Sequence, residues 1–223
     1  MVTSSAYAAK KGAEMKKVIP LCLLFCVILS LLAGCSPRSG RGDAFAGNPY
    51  EKGVLTETGF ISEYLNLKYT LPEGFIISTQ ADMDALMDIN SDSFDAEGYA
   101  GLSTVYEMKA SAEEGDSPSV LVKVEKLLIS IITEAQYFES LQLQLLTIYE
   151  GAYSFDETIT DVEIAGKNYK KLSAAFKSET SEEEFLRDYI IRKNNDRIIS
   201  FVVTYSADAI EEMEAMMKGF SKN

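Results

Sequence analysis

Residues 16–35 read KKVIPLCLLFCVILSLLAGC, and no other segment constrains the chain as strongly. Lys16 and Lys17 form a positive start. Val18 to Leu32 is an apolar run broken only by Pro20 and Ser30. A membrane-spanning helix wants about 20 apolar residues and usually lacks a small-residue cut site. A basic start, an apolar run and small residues in that order are the layout of a secretory signal. Residues 1–34 are therefore expected to be a removed leader, with residues 1–14 an extension upstream of a natural start at Met15.

The end of the run carries more. Leu32-Ala33-Gly34-Cys35 resembles the lipobox of bacterial lipoprotein precursors, an aliphatic residue and two small ones before a cysteine. The resemblance implies cleavage between Gly34 and Cys35 and a diacylglyceryl thioether on Cys35, with palmitate-type acylation. Each acyl methylene buried in lipid gains about 0.8 kcal/mol, so two or three chains hold a protein firmly. The folded part is then expected at the cell membrane, on its extracytoplasmic face, with the bilayer as its first partner. Ser36 stands where an aspartate is the inner-membrane retention signal of diderm bacteria. Cys22 and Cys26 lie inside the removed segment, and their spacing is not that of a metal site. With Cys35 acylated, no free thiol and no disulfide remains, and packing alone must stabilise the domain.

Removing Lys10, Lys11, Glu14, Lys16 and Lys17 leaves 17 basic residues against 33 acidic, a formal −16. Affinity for nucleic acid comes largely from Lys and Arg neutralising phosphates, so no nucleic-acid partner is expected. Docking flat on anionic lipid is equally disfavoured. The charge suits solubility at a crowded surface.

Residues 36–50 read SPRSGRGDAFAGNPY, rich in Gly, Ser and Pro with no apolar period. Residues 35–53 are read as a flexible tether. Arg41-Gly42-Asp43 matches an adhesion tripeptide, a pattern that arises readily by chance in a linker. Residues 54–223 remain as a single domain, a length that suits one self-sufficient core.

Within it, Phe60 to Leu71 reads as two short strands around Leu65-Asn66, ended by Pro72-Glu73-Gly74. Ser78 or Thr79 caps a helix from Ala81 to Asn90, with Met83, Leu86 and Met87 on one face and Asp82 and Asp84 near its start. Tyr99 to Lys109 and Val120 to Leu128 are strands, and Ser111 to Pro118 is an acidic turn. Thr133 and Gln136 form a capping box for a helix whose stripe is Phe138, Leu141, Leu145 and Ile148. Gly151 ends it. Thr160 to Ala165 and Tyr169 to Lys177 flank a turn at Gly166-Lys167-Asn168. Phe185 to Lys193 and Arg197 to Tyr205 flank another at Asn194-Asn195-Asp196. Asp208 to Phe220 is an amphipathic closing helix with Ile210, Met213, Met217 and Phe220 on one face. Ile198 and Val202 alternate with Ile199, Phe201, Val203 and Tyr205, so this strand is apolar on both faces. The fold expected is α+β, an antiparallel β-sheet with helices packed on both faces.

Gly59 to Phe75, GFISEYLNLKYTLPEGF, resembles the start of the PsbP/Mog1-like domains of Gram-positive lipoproteins. There an aromatic-rich hairpin runs into a Pro-x-Gly-aromatic turn; Phe75 stands here in place of the usual tryptophan. Val162 to Leu172 and Ile210 to Phe220 are similar to that family's hairpin and closing helix. The likeness spans roughly Gly59 to Phe220. It implies a helix-covered antiparallel sandwich, no shared enzymatic activity, and relatives that act in assembly or as accessories.

The residue inventory excludes much chemistry. With no histidine in the chain, Ser-His-Asp and Cys-His catalysis and histidine-bound zinc or iron are impossible. No phosphate loop and no dinucleotide fingerprint occurs. Asp88-Ile89-Asn90-Ser91-Asp92 opens like a calcium loop, but Ser93, Asp95 and Tyr99 stand where glycine, an aliphatic residue and a bidentate glutamate belong. Weak calcium binding there stays open. Glu182-Glu183-Glu184 reads as a solvated turn. With so many acids, carboxylate pairs suited to glycoside hydrolysis arise by chance and carry no argument. Tyr64, Tyr69, Tyr106, Tyr189 and Tyr205 lie on strands, either as packing or as the lining of a peptide or glycan cleft. The expectation is a lipid-anchored accessory or binding module, not an enzyme, with no cofactor and no metal, serving a membrane or cell-wall protein complex. The alternative is a small-ligand or metal-ion binding lipoprotein that serves a transporter.

Overall fold

The computed structural model describes residues 50–87, 102–114, 117–149, 151–177 and 184–223. Strands β1 (Val54–Thr56), β2 (Gly59–Ser62), β3 (Leu67–Thr70) and β12 (Phe220–Ser221) form a small sheet. A second, eight-stranded sheet runs β4 (Phe75–Ile77), β5 (Thr104–Ala112), β6 (Ser119–Lys126), β11 (Arg197–Ser206), β10 (Glu184–Asn194), β9 (Lys167–Lys177), β7 (Tyr153–Phe155), with β8 (Thr160–Ile164) also on β9. Every pairing is antiparallel. Three α-helices accompany them among the described residues: α1 (Gln80–Leu86), α2 (Glu134–Ile148) and α3 (Ile210–Met217).

The double-faced apolar pattern of β11 has a direct structural counterpart. Ile199, Phe201, Val203 and Tyr205 join one core with Phe60, Tyr69 and Phe220 of the small sheet and Met216 of α3. Ile198 joins the other, with Leu172, Tyr189, Ile191 and Phe138 of α2. Successive strand side chains point to opposite faces, so one strand serves both cores. The sequence-based fold class stands in its coarse form, a mixed α and β architecture of large antiparallel sheets. Much of one face, where helix was expected, is covered by the small sheet.

Both capping boxes form. Thr133 Oγ1 accepts from the Gln136 N–H at 3.3 Å and Gln136 Oε1 accepts from the Thr133 N–H at 3.0 Å. Thr79 and Asp82 do the same for α1. The apolar stripes hold less well. Phe138 is buried, but Ile148 is 68% exposed and Leu86 52%.

The hairpins are tighter than the sequence reading placed them. Ile164 pairs with Lys167, enclosing only Ala165-Gly166, at φ 52° and 74°. Two successive left-handed residues are the geometry of a two-residue turn that matches strand twist. Asn194 pairs with Arg197, enclosing Asn195-Asp196. The closing helix also stops early, at Met217, and Phe220 lies on β12 opposite Tyr69. Gly219 makes this possible: a Cβ there would sit 2.6 Å from the Thr70 carbonyl oxygen. Phe220 then packs 4.5 Å from the Tyr69 ring and 5.1 Å from Phe201.

Candidate functional site

The most unusual chemistry lies under the segment where the domain begins. In β5 the register breaks: Tyr106 pairs with Lys123 and Met108 with Val122, leaving Glu107 as the extra residue of a bulge. A bulge re-aims a side chain. Here it turns a glutamate, 0% exposed, to the underside of residues 50–53. The Tyr50 hydroxyl donates to Oε1 at 2.7 Å, and the Gly53 N–H donates to Oε2 at 2.8 Å. Residues 50–53, the end of the stretch read as tether, are thus clasped to the domain, with Tyr50 buried.

Charge surrounds this clasp. Lys52 Nζ lies 4.0 Å from Asp84 Oδ1, with the two side chains 6% and 2% exposed. Gln80 Nε2 donates to the same Asp84 oxygen at 2.7 Å. The Arg197 guanidinium sits 4.3 Å from the centre of the Tyr50 ring. Tyr64 meets Tyr50 edge-on at 5.1 Å, and its hydroxyl accepts from Asn194 Nδ2 at 3.3 Å. Two cations and two carboxylates are therefore gathered from the 50–53 segment, α1, β5 and β11.

Burial dominates the acidities of Glu107, Lys52 and Tyr50. It pushes the Glu107 carboxyl above its ordinary value, against the lowering effect of the Tyr50 and Gly53 hydrogen bonds and of Lys52 and Arg197. Burial pushes the Lys52 ammonium down, and Asp84 and Glu107 partly restore it. Burial first, then the adjoining Glu107, pushes the Tyr50 hydroxyl up. A raised carboxyl is a common mark of an acid–base catalyst. Here both oxygens of Glu107 are engaged and neither meets solvent. The arrangement fastens a segment to the domain; it does not present an acid to a substrate.

A second polar group lies on β9, β10 and β11. Asp188 accepts from Ser173 Oγ at 2.6 Å, Lys171 Nζ at 3.3 Å and the Tyr205 hydroxyl at 3.3 Å. Burial and then Asp188 raise Tyr205 to about 12. An apolar groove of about 680 Å³ lies between β1, β4 and the start of α1, lined by Leu55, Leu71, Phe75, Ile77, Ser78 and Gln80 among others. Both strands are sheet edges.

The five tyrosines expected on strands do not gather into a cleft, and Tyr64 lies in the turn between β2 and β3 instead of on a strand. Tyr69, Tyr189 and Tyr205 are buried, and Tyr64 and Tyr106 are half-buried. The aromatics that do form a row are Tyr153, Phe155, Phe176 and Phe185, ring to ring at 5.3–5.8 Å, with Arg187 4.2 Å above Phe176. Cys35, Gly34, Arg41-Gly42-Asp43, Asp88–Asp92 and Glu182-Glu183 lie outside the described residues. Among the described residues no group of three or more acidic or sulfur side chains could hold a metal ion.

Glu107, Lys52 and Arg197 were not singled out from sequence, and Asp84 was noted only as an acid near the start of a helix. One signal was there: Val105 and Met108 are both core-apolar but three residues apart, which breaks the alternation of a regular strand.

No protein-family model and no curated protein matches the chain. Among solved structures, the chain is similar to the solution structure of cyanobacterial PsbP (CyanoP) from Synechocystis. The TM-score is 0.43 at 9% identity, covering 82% of this chain and 98% of that one. It is also similar to a crystal structure from Bacteroides thetaiotaomicron. There the TM-score is 0.42 at 8% identity, covering 76% of this chain and 49% of the other. Neither likeness bears on function.

Proposed function

We propose that this chain is a lipid-anchored, extracytoplasmic accessory module that works by binding and not by catalysis, built on a sandwich of the PsbP/Mog1 kind with helices on both faces. The observation that carries the proposal is Leu32-Ala33-Gly34-Cys35 at the end of an apolar run behind two lysines. The histidine-free inventory and the sealed, doubly bonded Glu107 support a non-catalytic role. Its partner is a membrane or cell-wall protein complex.

One observation favours a second reading, a small-ligand binding lipoprotein. The groove at Leu55, Leu71, Phe75 and Ile77 has about 680 Å³, within the few-hundred to about 1,000 Å³ range usual for small-molecule sites.

Mild cross-linking of the tethered protein in its own membranes, followed by pull-down, tests the first reading. A specific partner that is lost with Cys35→Ala supports it. Absence of any partner, together with saturable thermal stabilisation by one small molecule, replaces it with the second. A ligand at about 100 times its Kd adds about 2.7 kcal/mol to the native state, an effect easily read.

A further inference from the structure

The connection from β6 to α2 reads Leu127-Leu128-Ile129-Ser130-Ile131-Ile132. It turns apolar side chains outward: Leu128 is 93% exposed, Ile131 82% and Ile129 56%. Single exposed aliphatics are ordinary, but three in four residues make a patch. Behind it Ile129, Ile131, Ile132 and Tyr137 help line a hollow of about 420 Å³. The loop is held in place by its own bonds. The Leu127 N–H donates to the Asp196 carbonyl at 2.6 Å, the Ile132 N–H to that of Ile129 at 3.3 Å, and Lys193 Nζ to that of Ser130. Lys126 and Lys193 therefore flank an apolar tip.

The tether enters at the same end of the large sheet. Tyr50 lies against Arg197, and Arg197 pairs with Lys126, two residues before Leu128. Only fifteen residues separate Cys35 from Tyr50. On the lipid-anchor reading, so short a connection leaves the Tyr50 end of the domain within reach of the bilayer.

We propose that residues 128–131 dip into the surface of the bilayer to which Cys35 tethers the chain, docking the domain in one orientation. The proposal rests on the lipid-anchor reading. The apolar tip enters the boundary between headgroups and acyl chains. Lys126 and Lys193 stay at headgroup level, where a cation beside an inserted apolar group is favourable. An acidic protein is disfavoured from lying flat on anionic lipid, and contact through one apolar tip flanked by lysines avoids that repulsion.

The chain has no tryptophan, so Leu128→Trp creates a single reporter at a solvent-exposed position. The full chain, purified with its anchor, is placed in phosphatidylethanolamine–phosphatidylglycerol vesicles with and without brominated acyl chains. Flotation reads the anchor; fluorescence reads the loop. The expected result is a chain that floats, with Leu128→Trp emission blue-shifted and quenched by bromine. Glu113→Trp, beyond the opposite end of β5, should show neither effect. A floating chain whose two reporters behave alike overturns the docking and leaves the anchor standing. A chain that does not float overturns both. A blue shift that follows protein concentration, without bromine quenching, assigns the loop to a second copy and overturns the docking as well.

Discussion

Replacing Glu107 with alanine is expected to lower the unfolding free energy by about 3 kcal/mol, because one buried and one half-buried donor lose their acceptor at once and each orphaned group costs about 1–3 kcal/mol. Those donors are the Tyr50 hydroxyl and the Gly53 N–H. The loss should show as a lower urea midpoint. Residues 50–53 should also become accessible to protease earlier than the rest of the domain, since the clasp is what fastens them. A Glu107→Ala protein with an unchanged midpoint would rule out the clasp.

Glu107→Gln separates charge from hydrogen bonding. The folded carboxyl is raised above its ordinary 4.5 by burial. Its contribution to stability is therefore fully present below about pH 4.5 and is lost as pH rises through the folded value. Glutamine mimics the protonated acid: its oxygen can accept from Gly53 while its amide donates to the Tyr50 oxygen. The variant should keep the clasp and lose this component of the pH dependence. The difference between wild type and Glu107→Gln midpoints should move in the variant's favour as pH rises from 4.5 towards neutrality. A difference that moves the other way would mean that Lys52 and Arg197 outweigh burial.

The second large effect is expected at Gly59→Ala. A Cβ there would lie 2.1 Å from the Tyr69 carbonyl oxygen and 3.1 Å from the carbonyl carbon. Both are backbone atoms, so no side chain can swing aside, and β2 must move away from β3. Overpacking of this kind costs about 1–3 kcal/mol and occasionally more. The upper end, about 3 kcal/mol, is expected because the same two strands carry Phe60 and Tyr69, each 1% exposed, into the core. Near-UV circular dichroism should weaken along with the urea midpoint, since tyrosine rings around the small sheet lose their fixed surroundings. A Gly59→Ala protein as stable as wild type would contradict the β2–β3 pairing described here.

What the sequence made legible was what had length or chemistry. The Thr133-x-x-Gln136 box specified the start of α2, because reciprocal hydrogen bonds need only that spacing. The ten-residue β11 displayed both its faces, since period-two alternation is readable over such a length. The two-to-three-residue strands β1, β4, β7 and β12 gave no period at all, and each exists through its partner. β12 in particular looked like more helix until Gly219 brought the backbone against Thr70. The charged cluster was hidden for a different reason. Its members are far apart in sequence, and the bulge that turns Glu107 inward follows from pairing with β6, not from local preference. Of the outward side chains of residues 128–131, Leu128 read as the end of a strand and Ile129 and Ile131 fell between elements, and only their exposure gave them another meaning.

The intact mass of the N-terminal peptide from membrane-purified protein decides whether the chain is lipid-anchored. The expected peptide begins at Cys35 and carries a diacylglyceryl group. Cys35→Ala should leave the leader uncut and the chain unmodified. A mature chain that begins elsewhere, or one whose Cys35 bears a free thiol, would rule out the anchor.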